Sequence, residues 1–278
     1  MGMLELKRAG IVDYVDAVRR RCSGWGFLHI HKTAGTSLIA EIGEHASPCY
    51  LIRQGDLSTG GQAKRDDEWA AVLAFARQQK SLSDDRKYRF WAGHLRNVHV
   101  QYLKAEFPGT HCFAMVREPA SMVVSAYRHL LTAHPRRKEW SERYPTLEDY
   151  ILESKVSRNV MVKRLAPAWY DNIEQTVNGI LHYYDFIGTL ELYSFSGSVI
   201  FQMMNLVRMP SAHLNKAQES TDERFMPTPE MIERIRALNA ADVALHQTVT
   251  QILEARQTVW WRHFRELQAA ARVPLPIA

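Results

Sequence analysis

The amino-acid sequence predicts an α/β fold with three layers, α/β/α, in which helices cover both faces of a central parallel sheet and the C-terminal half is helical. Short apolar segments alternate with segments of helical periodicity, which is the pattern of strands joined by crossover helices. Size and composition agree, because 278 residues of which 46% are hydrophobic can bury a full core without disulfides. No internal repeat or low-complexity linker divides the chain, so we expect a single domain over residues 1–278.

The predicted strands are short apolar runs that end at turn residues. They lie at 25–31, 49–53, 88–92, 110–116 and 184–188. The run THCFAMV at 110–116 is strongly apolar, as expected for a strand that is covered on both faces of a parallel sheet. After the second strand, residues 55–62 are polar and glycine-rich, which is typical of a surface loop.

The predicted helices follow from apolar residues at helical spacing and from residues that begin or end a helix. Pro119 stands in the first turn of the helix after strand 110–116, where proline is tolerated. Thr146, with Glu148 and Asp149, opens another helix, because a hydroxyl and early carboxylates complement the free amides of a first turn. Further helices are predicted at about 36–45, 64–80, 98–107, 157–166, 171–182 and 189–206, with one long helix or two consecutive helices over 229–271.

Charge and cysteine content exclude several classes of protein. Lys and Arg total 35 against 30 for Asp and Glu, and the net charge of +5 suits an anionic ligand as well as ordinary solubility. Acidic residues are scattered among the basic ones, so we expect no nucleic-acid partner. The three cysteines show no metal-binding spacing. No uncharged apolar run approaches a membrane span and no secretory signal begins the chain, so we expect a cytoplasmic protein without a membrane partner, unless the chain is an excised luminal domain.

The segment HIHKTAGTS at residues 29–37 leaves an apolar strand and opens a helix, as a phosphate-binding loop does. The amides and the dipole of a helix N-terminus attract an anion, Gly35 allows a close approach of the backbone, and Lys32 adds a positive charge. In a Walker A motif the lysine follows the second glycine, so the predicted fold is P-loop-like without a Walker A sequence. The alternative is an ordinary strand-to-helix turn with a solvated Lys32 and with Thr36 as the N-cap.

Three further polar residues are predicted at the same edge of the sheet. Strand 110–116 ends at Arg117, which can bind a phosphate, and Ser125 lies about two turns into the following helix, where its hydroxyl can add a hydrogen bond. The alternative is a surface pair of Arg117 with Glu118 and a serine buried against the sheet. His94 follows the strand at 88–92 and can act as a general base, since its ordinary pKa is near neutral. A structural role for this histidine is the alternative.

Taken together, these segments resemble the sulfotransferase family that uses 3′-phosphoadenosine-5′-phosphosulfate (PAPS), and within it the carbohydrate-type branch that includes heparan sulfate 2-O-sulfotransferase and related bacterial proteins. FLHIHKTAGTSL is similar to the family's 5′-phosphosulfate loop, VREPASMVVSAYRH to its 3′-phosphate segment, and FWAGHLRNV to the segment with the catalytic histidine. YDFIGTLE and HLNKAQES are similar to later segments of bacterial members. The chain departs from the family at His31, where the loop usually has proline.

The resemblance implies the transfer of a sulfuryl group from PAPS to an acceptor hydroxyl or amine, with adenosine 3′,5′-bisphosphate as the product and without a metal. Lys32 is expected to neutralise the phosphosulfate oxygens, and His94 is expected to take the acceptor proton. Arg117 and Ser125 are expected to bind the 3′-phosphate and so to select this donor over ATP. The remaining donor-binding residues are expected to be Thr33, Ala34, Gly35, Thr36, Ser37, Asn215 and Lys216, the last two in a loop that closes over the nucleotide.

Two other classes of function stay open on the sequence. A P-loop kinase or NTPase with a degenerate loop would need a carboxylate for Mg²⁺ after a strand, and a non-catalytic protein could bind an anionic ligand on the same fold. We expect the acceptor to be a saccharide or a small metabolite, and the protein to be a monomer or a homodimer. The segment RRKEWSER at 136–143 carries no assigned motif and is expected to be a solvated surface.

Overall fold

The computed structural model describes residues 2–52, 62–168, 172–206, 208–210 and 222–271. In these residues the centre of the fold is a sheet of five parallel strands, β1 (Gly24–Leu28), β2 (Cys49–Ile52), β3 (Phe90–Gly93), β4 (Thr110–Val116) and β5 (Phe186–Thr189). Their order across the sheet is β2-β3-β1-β4-β5. The predicted central parallel sheet is therefore confirmed, and every predicted strand overlaps an observed one.

The strands on either side of β1 run in register with it. Trp25 pairs with Phe90 of β3, and Leu28 pairs with Gly93 of β3 and with Ala114 of β4. All seven residues of β4 are buried, as its apolar sequence predicts. Because the three strands are parallel and aligned, the segments that follow them leave the sheet at the same edge.

The sheet is surrounded by helices, and the described part of the chain contains fourteen of them. They are α1 (Met3–Leu6), α2 (Ile11–Arg21), α3 (Gly35–Gly43), α4 (Gln62–Ser81), α5 (Asn97–Glu106), α6 (Pro119–Thr132), α7 (Arg137–Arg143), α8 (Leu147–Glu153), α9 (Val160–Leu165), α10 (Ile173–Tyr183), α11 (Tyr193–Met203), α12 (Pro229–Leu238), α13 (Ala240–Glu254) and α14 (Gln257–Ala271). Thr146 begins α8 in a capping box with Asp149, as the sequence predicts.

The helices form one layer on each face of the sheet. Crossover connections between parallel strands are right-handed. The connection from β1 to β2 crosses the sheet in the opposite direction to the other connections. It therefore lies on the opposite face of the sheet. That connection contains α3, and Tyr193 of α11 donates to Glu41 of α3 at 3.2 Å. Trp260 of α14 donates in turn to Ser198 of α11 at 2.8 Å. On the other face α4 packs on α5, and α13 packs on α9 and α10.

A second hydrophobic cluster lies apart from the main core, where α6 packs against α8 and α12. Tyr127, Tyr150 and Ile235 are buried in this cluster. The Tyr127 hydroxyl lies 3.2 Å from the backbone oxygens of Tyr144 and Pro145, to which it can donate. The cluster holds α6 and α12 together, and both helices contribute residues to the site described below.

The structure differs from the sequence prediction at both ends of the chain. No helix is predicted before residue 25, yet α2 buries Ile11, Tyr14 and Val18 at the helical spacing that carries the signal. The C-terminal segment forms three helices instead of one or two, with breaks after Leu238 and after Glu254. At the first break Asn239 ends α12, and its side chain donates to the oxygen of Ile235. The segment RRKEWSER forms α7, which has no buried residue. Across the described ranges, no helix has the length and apolarity to cross a bilayer.

Candidate active site

The three predicted motifs meet at the carboxyl edge of the sheet, beside β1. The connection after β1 runs towards β2 and the one after β4 runs towards β5, so a crevice of the kind in which α/β proteins bind ligands opens between these two strands. Arg117 follows β4, and its Nη1 donates to the backbone oxygen of Lys32 at 3.1 Å. His94 follows β3, and its Nδ1 lies 2.9 Å from the backbone oxygen of His29. The loop after β1 is therefore in contact with both other motifs.

This loop presents the N-terminus of α3 to the crevice. Lys32 and Ala34 have positive φ values of 67° and 63°, which turn the chain sharply between strand and helix. The buried Thr33 hydroxyl donates to the backbone oxygen of Ile30 at 2.9 Å and closes the loop on itself. Helix α3 begins at Gly35, and no side chain caps its first turn. An anion is therefore the natural partner for the amides and the dipole at this helix end.

The loop geometry changes the roles of several predicted residues. Ala34 is the N-cap of α3, so the alternative in which Thr36 caps an ordinary turn is wrong, and Thr36 is exposed. The Thr33 hydroxyl is used inside the loop, so it shapes the loop instead of donating to a ligand. Ser37 is 3% exposed in the first turn of α3. A Cβ atom on Gly35 would lie 2.0 Å from the His29 ring, so this position requires glycine.

Three basic side chains crowd the crevice. Burial, together with the nearby Arg117 and Arg128, lowers the pKa of Lys32 below its usual value. Burial also lowers the pKa of Arg117, an effect that Glu191 opposes and Arg128 increases. Because partly buried cations repel one another, binding of a multiply charged anion relieves their repulsion.

A cavity of about 430 Å³ adjoins this cluster of cations. Its lining includes Arg117, Ser125 and Arg128, and also Arg236 of α12. Glu118 pairs with Arg236 at 3.2 Å and caps α6 by accepting from Ser121, so the predicted alternative of a surface pair with Arg117 is wrong. Ser125 is 6% exposed and lines the same cavity as Arg117, with which it is predicted to bind the 3′-phosphate.

Arg128 and Arg236 are site residues that the sequence analysis misses. Arg128 stands three residues after Ser125 on α6, a spacing that brings two side chains to the same helix face, so a signal for it was present. Arg236 reaches the cavity only because α12 packs on α6 through the second hydrophobic cluster. Nothing in the sequence near residue 236 indicates that contact.

A larger cavity of about 740 Å³ lies at the opposite, amino end of the strands. Its lining includes Lys87 and Arg89 but also Asp84 and Glu106. The electrostatic potential of these charges is mixed in sign and does not select an anion. Lys87 is paired with Asp84 at 2.6 Å. The cavity next to Arg117 is therefore the better candidate for an anion-binding site, although it is the smaller of the two.

His94 lies between two other imidazoles. Its ring centroid is 4.1 Å from that of His29 and 3.7 Å from that of His31, with interplanar angles of 27° and 17°. Since a carbonyl oxygen can only accept, the contact of Nδ1 with the oxygen of His29 places the proton of the neutral ring on Nδ1 and the lone pair on Nε2. In this tautomer Nε2 can accept a proton. His31, where the resembling family has proline, thus forms one wall around His94.

Some predicted features cannot be compared with the structure. Asn215 and Lys216, which are expected to close over the nucleotide, lie outside the described residues. In the part of the chain that is described, no group of three or more His, Cys, Asp or Glu side chains is arranged to hold a metal ion. The single domain, the oligomeric state and the expected lack of nucleic-acid and membrane partners stay predictions.

Two histidines, His29 and His99, predict a loss of stability in acid. Burial, with His94 and Lys32 nearby, lowers the pKa of His29 to about 3 from 6.5, and burial likewise lowers the pKa of His99 to about 4. Between these values the unfolded chain binds protons that the folded protein does not, so each histidine costs about 1.4 kcal/mol of stability per pH unit as the pH falls. Asp242 acts in the opposite sense between pH 6 and 3.8, because burial raises its pKa to about 6. Two histidines outweigh one carboxyl, so we expect net destabilisation below pH 6.5.

This expectation can be checked by urea unfolding at pH 7 and pH 4.5. A His29→Phe variant keeps a flat ring against Phe27 and His94 but cannot titrate. Its free energy of unfolding should fall less on acidification than that of the wild type. Equal losses in the two proteins would show that His29 does not resist protonation in the fold.

Comparison with known proteins identifies a similar fold but no family. No protein-family model and no curated protein sequence matches the chain. Among solved structures, a sulfotransferase from Alicyclobacillus acidocaldarius matches with a TM-score of 0.50 and 15% sequence identity, over 82% of this chain and 95% of that chain. At this identity the similarity concerns architecture alone. The chain described here therefore has a three-layer α/β fold similar to that of a bacterial sulfotransferase.

Proposed function

We propose that the protein is a PAPS-dependent sulfotransferase that acts on a hydroxyl or amine of a saccharide or a small metabolite. The observation that carries the proposal is the convergence of a helix N-terminus without a side-chain cap, three cations and His94 in one crevice. PAPS carries negative charge on a 5′-phosphosulfate and on a 3′-phosphate, and this crevice has positive charge to match both. The similarity of fold to a sulfotransferase supports the same function.

PAPS supplies the sulfuryl group, and adenosine 3′,5′-bisphosphate is the leaving group. Lys32 and the first turn of α3 neutralise the 5′-phosphate oxygen, on which negative charge grows as its bond to sulfur breaks. Arg117, Ser125 and Arg128 bind the 3′-phosphate. Nε2 of His94 takes the proton of the acceptor hydroxyl or amine as the new bond to sulfur forms.

The charges around Arg117 favour this reaction over that of a kinase or NTPase. Those enzymes hold Mg²⁺ at carboxylates beside the nucleotide. Here the carboxylates nearest Arg117 have cationic or imidazole partners, since Glu118 pairs with Arg236 and Glu191 contacts His246 at 2.9 Å. The site is thus arranged to balance the charge of a nucleotide with its own side chains.

The proposal is tested by transfer of radiolabelled sulfate from PAPS to a panel of saccharides and hydroxylated or amine metabolites. Calorimetry with adenosine 3′,5′-bisphosphate and with ATP–Mg²⁺ should be run beside it. We expect labelled product with at least one acceptor class and tighter binding of the bisphosphate. Tight binding of ATP–Mg²⁺ alone would favour a kinase, and binding of the bisphosphate without transfer to any acceptor would favour a non-catalytic protein.

Two substitutions test the site of the 3′-phosphate. Arg117→Ala and Arg128→Gln should each lower the affinity for adenosine 3′,5′-bisphosphate by about tenfold or more, since each removes a charge-assisted hydrogen bond. The affinity for adenosine 5′-monophosphate, which lacks the 3′-phosphate, should fall much less. Arg19→Gln removes a half-buried guanidinium of α2, which pairs with Asp16 at 2.8 Å outside the crevice, and is the matched control. Equal weakening of both nucleotides would mean that these arginines do not bind the 3′-phosphate.

A further inference from the structure

The backbone of His94 is held by a side chain that takes no part in the proposed reaction. Arg164 of α9 lies beside the turn after β3, and its Nη1 is 3.3 Å from the backbone oxygen of His94 and 3.4 Å from that of Leu95. The Arg164 side chain is 17% exposed, so the contact is shielded from water. One guanidinium therefore holds the two consecutive carbonyls that set where the His94 ring leaves the chain.

Arg164 is itself anchored by a buried carboxylate. Oε1 of Glu68, on α4, lies 3.6 Å from Nη1 of Arg164, and Oε2 lies 3.0 Å from Nε of Arg96. The Glu68 side chain is 1% exposed. The pair joins α4 and α9 to the turn between β3 and α5, three parts of the chain that are far apart in sequence.

A buried ion pair is a costly way to stabilise a fold, because desolvation of the two charges offsets most of their attraction. An apolar pair of the same volume would serve packing as well. What the charges add is direction, since a guanidinium donates in a fixed plane and aims at the carbonyls of His94 and Leu95. The best account of this pair is therefore the placement of His94.

We propose that Glu68 and Arg164 are positioning residues for His94, which hold its ring in the stack with His29 and His31 and keep its proton on Nδ1. The inference rests on the proposed function for its catalytic readout. Neither residue contacts the reacting groups, so their effect passes through His94. A shift of the His94 turn by a fraction of an ångström moves Nε2 away from the acceptor proton while the donor site at Lys32 and Arg117 stays intact.

The test compares Glu68→Gln, Arg164→Gln and Arg164→Lys with the wild type. We expect kcat to fall by about 10²-fold in the first two, because small misplacements of a catalytic group have effects of that size. The KM for PAPS and the Kd for adenosine 3′,5′-bisphosphate should stay within about twofold, which loss of fold would not allow. Arg164→Lys keeps the charge and a single donor nitrogen, so it should recover part of kcat and carries the test if the other variants do not fold.

Arg256→Gln is the matched control. Arg256 also donates to two consecutive carbonyls, those of Leu6 and Lys7, each at 2.8 Å, but on the N-terminal segment instead of beside His94. This variant should lose stability without a change in kcat. Equal falls of kcat in Arg164→Gln and Arg256→Gln would overturn the proposal, because the effect would then be one of general stability.

A second readout does not depend on the reaction. The ring nitrogen signals of His94, assigned by NMR, should show a single Nδ1-protonated tautomer in the wild type and a mixture of tautomers in Arg164→Gln. An unchanged tautomer in that variant would refute the positioning role even if no acceptor is ever found. If the wild type transfers no sulfate but the tautomer changes as expected, the proposed function fails and the positioning of His94 stands.

Discussion

Replacing Lys32 by alanine should abolish sulfuryl transfer, with a loss of at least about 3 kcal/mol of transition-state stabilisation. Lys32 is held in the left-handed region at φ 67°, beside the first turn of α3 and next to Arg117. The backbone of Lys32 is preorganised there, because the Thr33 hydroxyl closes the loop and the Arg117 guanidinium donates to the backbone oxygen of Lys32. The measurement is the initial rate of radiolabelled sulfate transfer at saturating PAPS.

Lys163→Ala is a suitable control for the loss of one positive charge, since Lys163 is exposed on α9. Lys32→Arg separates charge from shape, because a guanidinium keeps the charge but does not reproduce the geometry of an ammonium. We expect full activity in the first and a partial loss in the second. Near-normal turnover by Lys32→Ala would refute the role of this residue.

Replacing His94 by alanine should lower kcat by about 10²- to 10⁴-fold while the affinity for adenosine 3′,5′-bisphosphate is retained. The expectation follows from the tautomer, because the bond from Nδ1 to the oxygen of His29 leaves Nε2 as the site that accepts a proton. It also follows from position, because His94 belongs to the turn after β3 while the basic side chains belong to the segments after β1 and β4. Steady-state kinetics and calorimetry on the same samples give the two quantities.

His45→Ala serves as the control, since His45 is an exposed histidine after α3 that makes no contact with the stack of imidazoles. It should leave kcat unchanged. A collapse of nucleotide affinity in His94→Ala, with kcat preserved at saturation, would make His94 a nucleotide-binding or structural residue. The general base would then have to be sought elsewhere in the crevice.

Much of the fold was predictable because its signals are local. Strand β4 is a run of seven buried residues of which five are apolar, and Thr146 with Asp149 forms the capping box that begins α8. Helix α2, which was not predicted, carries the same kind of local signal in the helical spacing of Ile11, Tyr14 and Val18. The break between α12 and α13 was harder to see, because Asn239 ends a helix through one side-chain bond and not through a glycine or a proline.

The candidate site was predictable only in its parts. The residues after β1, β3 and β4 had to share an edge of the sheet once the strands were parallel, so Lys32, His94 and Arg117 could be named together. The direction of each side chain could not be inferred in the same way. Thr33 turned into its own loop, and Arg117 reached the backbone of Lys32 instead of pairing with Glu118.

The strands, most helices and the three segments that carry the charged and titratable groups follow from local sequence, since each is encoded within about a dozen neighbouring residues. Three features depend on long-range packing: the ring nitrogen at which His94 can accept a proton, the contribution of Arg128 and Arg236 to the cavity, and the contact of Glu68 and Arg164 with the turn after β3. The contact between Arg164 and His94 spans 70 positions of the chain. Contacts of that kind depend on how whole helices pack against the sheet, and packing is a property of surfaces that no local pattern contains.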